Sequence, residues 1–318
     1  MSVRVLAPGL LTTVQDGGRT GFRHFGVGTA GALDAHSHAI ANLLVGNSVD
    51  APALEITLNG PRLHFDRAAR IAICGADTDA RDAQQQSLPC WRRIDLPAGS
   101  HISIGACHRG ARAYLAVAGG FAAPIMLDSA STDLRAGFGG VRGRMLATGD
   151  ILPIARVTLP AIKCITVASW WIDPTPDLNF ATVQVVRVLP ARDALTDPDA
   201  LFDTAWRVDA ASNRQGLRLQ GPPLTAADAS ERISEPVAPG TLQLPADGQP
   251  IVLLADAQTH GGYPRIGHAI AADRPRLAQL RAGQSLRFES CTSAQARSLA
   301  LEQRQRLARI AFAIAARR

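Results

Sequence analysis

Lysine is almost missing from this chain: of 33 basic residues in 318, Lys163 is the one lysine and the rest are arginine. No Gly-Lys-Ser/Thr loop of the kind that cradles a nucleotide phosphate can therefore be drawn, and no G-x-S-x-G nucleophile elbow occurs either. Cysteine is scarce as well. The five thiols (Cys74, Cys90, Cys107, Cys164, Cys291) are odd in number and form no C-x-x-C, which argues against a disulfide frame and for a reducing compartment. No apolar run reaches the ~18 residues that cross a bilayer; the nearest, 113–127, is broken by Gly119, Gly120 and Pro124. The opening residues lack the charged head, apolar stretch and cleavage site of a secretory leader. These absences predict a cytoplasmic protein with no membrane contact.

The formal charge is +6, but the arginines are scattered among acids, which argues against a nucleic-acid partner. The densest basic run, Arg304, Arg306, Arg309, Arg317 and Arg318, carries Leu307, Ile310, Ala311 and Ile314 on one helical face. It reads as an amphipathic helix docked on the body of the protein.

The length suits about two domains. Glycine (28) and proline (20) punctuate the chain often, leaving short strand-like runs at 70–74, 102–105, 113–117, 183–188, 242–244 and 251–254. Helical patterns are few: 34–45, with Asp34 as a natural N-cap, then 198–204, 274–280 and the C-terminal segment. The pattern is mainly β with a few helices (α+β), not alternating βαβ units. Three short phrases recur in the same order: "RVL" at 4–6 and 187–189, "LNGPRL" and "LQGPPL" at 58–63 and 219–224, "LPAGSHI" and "LRAGQSL" at 96–102 and 280–286. Their order predicts a duplicated β-barrel unit. A Pro-rich stretch at 170–177 separates the copies and places the domains at 1–170 and 171–318.

Several motifs invite chemistry. The formal G-x-G-x-x-G at 26–31 lacks a preceding strand and reads as a glycine turn into a capped helix. His36 and His38 point to different helix faces, and no metal site is expected. The densest polar set follows the apolar run 251–254: Asp256, Gln258, Thr259, His260, Gly261, Gly262, Tyr263 and Arg265. Paired glycines let backbone N–H groups approach a ligand, beside amide, imidazole, phenol and guanidinium groups. A second cluster, Ser212, Asn213, Arg214 and Arg218, offers a two-pronged grip on a carboxylate or phosphate. The two loops are expected to share one polar cleft. Asp16, Gly17, Gly18 and Arg19 form a further polar turn.

The segments "GLLTTVQDGGRTGFRHFGV", "GALDAHSHAIANLLVGN", "LEITLNGP", "GARAYLAVAGGF", "SNRQGLRLQGP" and "LPADGQPIVLLADAQTHGGYPRIGHAIAAD" closely resemble the biotin-dependent carboxyltransferase family. That family includes the C-type component of 5-oxoprolinase (the KipA, or allophanate hydrolase subunit 2, type) and part of urea carboxylases. The resemblance runs from about Val3 to Phe288. It implies two cyclophilin-like β-barrel units and ATP-dependent opening of the 5-oxoproline lactam to glutamate, together with a KipI-like B-type subunit and an A-type subunit. ATP, with Mg, is then held with or by the partner subunit. For that reaction the side-chain chemistry makes Asp256, His260 and Tyr263 the candidate catalytic residues, Asp256 as a base or orienting acid and the other two to orient the ring or the water. Asn213, Arg214, Arg218, Gln258, Gly261, Gly262 and Arg265 become the contacts to a small lactam or amide. Two alternatives belong to the same resemblance: a non-enzymatic antagonist of a KipI-like kinase inhibitor, and a urea-carboxylase-like component. With no AMKM-type segment and a single lysine, the chain is expected to carry no biotin of its own. It departs from the usual family pattern at Ala30 (for Ser in SGAMD), Asp128 (for Gly in LGS), Leu217 (for Tyr in SNRMGYR) and His260 (for Thr in TTGGYP). These departures bear on substrate rather than on scaffold.

Overall fold

The computed structural model describes residues 1–191, 195–228 and 233–317; Arg318, the last of the basic C-terminal run, lies outside them. The chain is mainly β. Among the described residues there are four α-helices, three sheets and one closed seven-stranded barrel. It divides into two compact units: Met1–Arg19 with Ala30–Leu178 and Leu307–Arg318, and Thr20–Thr29 with Asn179–Arg306.

In the first unit a five-stranded antiparallel sheet runs in the order Ile151–Pro153, Ser2–Ala7, Arg62–Phe65, His101–Ser103, Arg81–Asp82. A six-stranded sheet runs Thr166–Val167, Arg93–Leu96, Ala69–Thr78, Cys107–Val117, Ala53–Thr57, Leu11–Gln15. Their apolar side chains, Val3, Val5, Leu54, Ile56, Leu63, Phe65, Ile71, Ile73, Ile94 and Leu115 among them, form one core. Two strands are longer than the sequence suggests, at ten and eleven residues. Gly75 looks like a strand breaker, yet here it sits at a bulge with φ +98°, where an added Cβ would lie 2.4 Å from the Arg112 carbonyl. The ladder bends there and continues.

Helix α1 (Ala35–Val45) starts as the sequence predicts: Asp34 accepts the Ser37 N–H at 2.9 Å, and Gly46 ends the helix in the left-handed region. It packs on the strands Ala69–Thr78 and Cys107–Val117, which explains why those strands read as continuous apolar runs instead of alternating ones.

The second unit is the closed barrel, in the order Val183–Pro190, Arg265–Ala269, Thr241–Gln243, Ile251–Leu253, Gly216–Gln220, Ala205–Val208, Ser285–Ser290. The first and last strands close it as a parallel pair, with Val183 opposite Ser285 and Val188 opposite Ser290. Along Val183–Pro190 the residues Gln184, Val186 and Val188 are buried in strict alternation, the period-2 signal of a one-sided strand. Trp206, Leu242, Val252, Leu286 and Phe288 fill the interior. The short helices α2 (Ala200–Asp203) and α3 (Arg274–Gln279) belong to this unit. The C-terminal helix α4 spans Ser293–Ala315, starting well before the basic run; Leu307, Ile310, Ala311 and Ile314 are its buried or half-buried face.

Of the echoed phrases, "RVL" falls within a strand in both copies, Ser2–Ala7 and Val183–Pro190. "AGSH" and "AGQS" are both turns with a left-handed glycine, Gly99 (φ +77°) and Gly283 (φ +85°), and both lead into a strand.

Candidate functional site

A cavity of about 740 Å³ lies in the second unit. Segments 223–226, 244–248 and 261–264 line it, together with Asp228 and Gln258. The segment that follows the barrel strand Ile251–Leu253 reaches this wall at Gln258 and at 261–264. Gly261 and His260 pair with Glu235 and Pro236 in a two-stranded ribbon, and Gly262, Tyr263 and Pro264 return the chain into the strand Arg265–Ala269. Of the ten residues expected from sequence, the structure puts Gln258, Gly261, Gly262 and Tyr263 on the cavity wall.

The other six lie elsewhere. Arg214 and Asp256 are bound to each other: the guanidinium Nε donates to Asp256 Oδ2 at 2.8 Å and Nη2 to Oδ1 at 2.9 Å, with both side chains only 4% exposed. The Asp256 N–H also donates to the Arg214 carbonyl at 3.1 Å. The two loops are thus joined, as the sequence suggests, but by a buried fork-to-fork ion pair and not across open space. Asn213 caps a turn, its Oδ1 accepting from the Gln215 N–H. Arg218 is exposed on the outer face of its strand, and Arg265 pairs with Glu235 in solvent. His260 is exposed, its Nδ1 3.0 Å from Thr259 Oγ1. Neither His260 nor Asp128 is on the described lining, so these two departures do not alter its polarity. Asp128 is exposed with φ +59°, a backbone that favours the glycine usual at that position. Leu217 is buried in the barrel wall opposite Val252.

Sequence reasoning misses two residues that hold the site. Arg23 reaches the Val237 carbonyl and, at 3.1 Å, the Gln258 carbonyl. Burial lowers its pKa from the ordinary arginine value. With Thr29 Oγ1 donating to the Ala255 carbonyl at 3.1 Å, the segment Thr20–Thr29 fixes the 255–258 backbone. The second is Gln243, buried in the strand Thr241–Gln243, whose Oε1 accepts from Gln258 Nε2 at 3.3 Å. Neither carries a sequence signal, because a lone Arg or Gln is not a motif. Two carboxylates, Asp228 and Asp247, stand on the described lining and no basic side chain does.

The polar turn of the first unit is a closed structural knot. Asp16 Oδ1 accepts from Ser129 Oγ (2.6 Å), Ser131 Oγ (2.5 Å) and the Gly18 N–H (2.8 Å), and its Oδ2 from the Ala130 N–H (2.6 Å). Burial pushes the Asp16 pKa up, but these hydrogen bonds together outweigh it and bring the net shift below the usual carboxylate value. Beside it, Arg19 is fully buried and lies 4.5 Å from the Phe138 ring. His36 Nε2 sits 3.0 Å from Asp177. Among the described residues no cluster of three or more His, Cys, Asp or Glu side chains is gathered for a metal ion, and no helix is long and apolar enough to cross a membrane.

The model of the carboxyltransferase domain, subdomain A and B, matches residues 25–290. The chain belongs to this family. It is 38% identical over 314 residues to the C-type component of the Escherichia coli 5-oxoprolinase, covering 98% of both chains. To the Haemophilus influenzae protein of the same name it is 35% identical, over 90% of each. Among solved structures, 97% of the chain superposes on the Kluyveromyces lactis urea carboxylase with a TM-score of 0.88 at 29% identity, but that match spans only 29% of the larger protein.

Proposed function

We propose that this chain is the C-type component of an ATP-dependent 5-oxoprolinase, opening the lactam of 5-oxoproline to glutamate. The observation that carries the reading is the end-to-end match: 98% of the chain on 98% of its E. coli relative. The fungal urea amidolyase match from Saccharomyces cerevisiae covers 17% of that protein.

A lactam is a stabilised amide and a poor electrophile. Transfer of the γ-phosphoryl group of ATP to the lactam oxygen releases ADP and leaves an imidate-like carbon. Water adds to that carbon, the C–N bond breaks as the ring nitrogen takes a proton, and a second water hydrolyses the resulting acyl phosphate, releasing phosphate and glutamate. Such a reaction asks the protein chiefly for positioning and charge stabilisation. The glycine-edged cavity, with Gln258 and Tyr263 on its wall, is the place we assign to the lactam ring. Backbone N–H groups at Gly261 and Gly262 can come close to its oxygen. Asp228 and Asp247 on the lining would repel a triphosphate unless Mg²⁺ screened it. This supports ATP being held with or by a partner, the B- and A-type subunits. Asp256 and Arg214, locked together, serve the site by setting the height of the 255–258 backbone; His260, Asn213, Arg218 and Arg265 are exposed and available to a partner or to the anionic part of the substrate. We also read both units as cyclophilin-like barrels from one duplicated ancestor, supported by the matching left-handed glycine turns, and the protein as cytoplasmic.

The test is reconstitution. The purified chain alone should release no glutamate, whereas mixing it with its B- and A-type partners should give glutamate release that needs both ATP and 5-oxoproline. Activity of the isolated chain, or none from the full set, refutes the proposal. A second reading, a urea-carboxylase-like component, is favoured by the superposition on the K. lactis enzyme; biotin-dependent carboxylation of urea by the reconstituted set would support it instead.

A further inference from the structure

We infer that Gln243 sets the selectivity of the cavity for an amide N–H, by holding Gln258 with its side-chain oxygen left for the ligand. The inference rests on the lactam reading above and adds to it a residue that lies behind the cavity wall. Gln243 is 1% exposed at the end of the barrel strand Thr241–Gln243, and a buried glutamine is unusual. Its Oε1 accepts from Gln258 Nε2 at 3.3 Å, while its own Nε2 is buried without a hydrogen-bond partner. The Gln258 backbone is pinned separately through the Arg23 guanidinium on its carbonyl. Main chain and side chain of Gln258 are therefore both fixed.

Gly261 completes the arrangement. A Cβ built there would stand 2.5 Å from Gln243 Nε2 and 3.4 Å from Gln258 Nε2, so the absence of a side chain leaves the two amides side by side under the wall at Gly261. A primary amide donates at one end and accepts at the other. With its NH₂ end turned to Gln243, Gln258 is held in one orientation and its Oε1 is left as an acceptor. An acceptor on the wall is the complement of the ring N–H of a lactam. A lactone of the same size has a ring oxygen in place of N–H and would set two acceptors against each other. A site built to hydrogen-bond an N–H rejects the analogue lacking it by tenfold or much more. Gln243 is a positioning residue, acting through Gln258.

The experiment measures dissociation constants of 5-oxoproline and of its lactone counterpart, 5-oxotetrahydrofuran-2-carboxylate, on the full chain alone and combined with its partner subunits. The wild type should prefer the lactam by about tenfold or more. Gln243→Met, which removes the acceptor at similar volume, should bring the two ligands towards parity. Gln243→Glu, whose carboxylate still accepts from the Gln258 NH₂, should keep the preference. Gln258→Met, on the half-exposed wall, should lose it too and serves if the core variant does not fold, as judged from its unfolding midpoint. Lactam binding whose preference is indifferent to Gln243→Met, or a wild type that binds both ligands alike, overturns this inference alone. A wild type that binds 5-oxoproline in neither setting overturns it together with the lactam reading.

Discussion

Asp256→Asn tests whether the buried Arg214–Asp256 pair is scaffold or chemistry. Both side chains are 4% exposed, and both carboxylate oxygens take guanidinium N–H groups at 2.8 and 2.9 Å. The asparagine keeps the shape but removes the charge and turns an amino group toward the guanidinium, so Arg214 is left as a buried, uncompensated cation. Breaking such a pair from one side costs about 3–5 kcal/mol. The pair ties the end of Ile251–Leu253 to the start of Gly216–Gln220, neighbouring strands with Leu217 opposite Val252. Hydrogen exchange of the amides in 214–219 and 251–256 should therefore accelerate by roughly 150- to 5,000-fold, at 1.36 kcal/mol per tenfold. The double change Arg214→Met with Asp256→Leu should cost less than the single one, because neither charge is then stranded. Exchange within threefold of wild type in Asp256→Asn would refute the scaffold reading. If the reconstituted complex also lost its turnover while the fold stayed intact, Asp256 would move from scaffold to catalysis.

Asp16 makes part of the stability depend on acid. Its folded pKa lies below the ordinary 3.8, so its contribution is present above that value and is lost as pH falls through the folded pKa; Asp16→Asn should flatten the acid limb of a stability–pH curve, read from unfolding midpoints between pH 5 and the acid transition. His38 acts at higher pH. Full burial lowers its pKa below 6.5, against smaller pulls from Asp16, Asp50 and Glu55, and its Nε2 lies 3.3 Å from Asn42 Nδ2. The unfolded chain then binds the extra proton, so stability is complete above about pH 6.5 and declines below it; His38→Gln should remove that slope. Asp34→Ala deletes the N-cap of α1 and should cost about 1–2 kcal/mol in denaturant unfolding, with the loss concentrated in the amides of the first turn.

The parts of the fold that were legible in the sequence are those governed by local chemistry. Asp34 before an apolar segment and Gly46 after it mark both ends of α1, since a cap needs only a carboxylate at one end and a residue free to turn left-handed at the other. The Val183–Pro190 strand shows its alternation because one face is buried. Where both faces are covered, as along Ala69–Thr78, alternation vanishes and Gly75 reads as a stop although it is a bulge. The candidate site was half legible for a related reason. The run from Ile251 into Gln258, Gly261, Gly262 and Tyr263 is contiguous, so its density of polar groups and glycines is visible. Its other walls, 223–226 and 244–248, are largely proline, alanine and leucine that gain meaning only by standing opposite.

What the sequence determined by itself was the family, the mainly β class, the capped helix and the glycine-edged loop, because each depends on residues that are neighbours in the chain. Which arginine is paired was decided by tertiary structure alone: Arg214 lies 42 positions from Asp256, and only the antiparallel register of two barrel strands brings them together. The same holds for Gln243 under Gln258 and for Arg23 on the Gln258 carbonyl. Hydrogen bonds and ion pairs act over about 3 Å, and separation in sequence carries no information about distances of that size until the chain has folded.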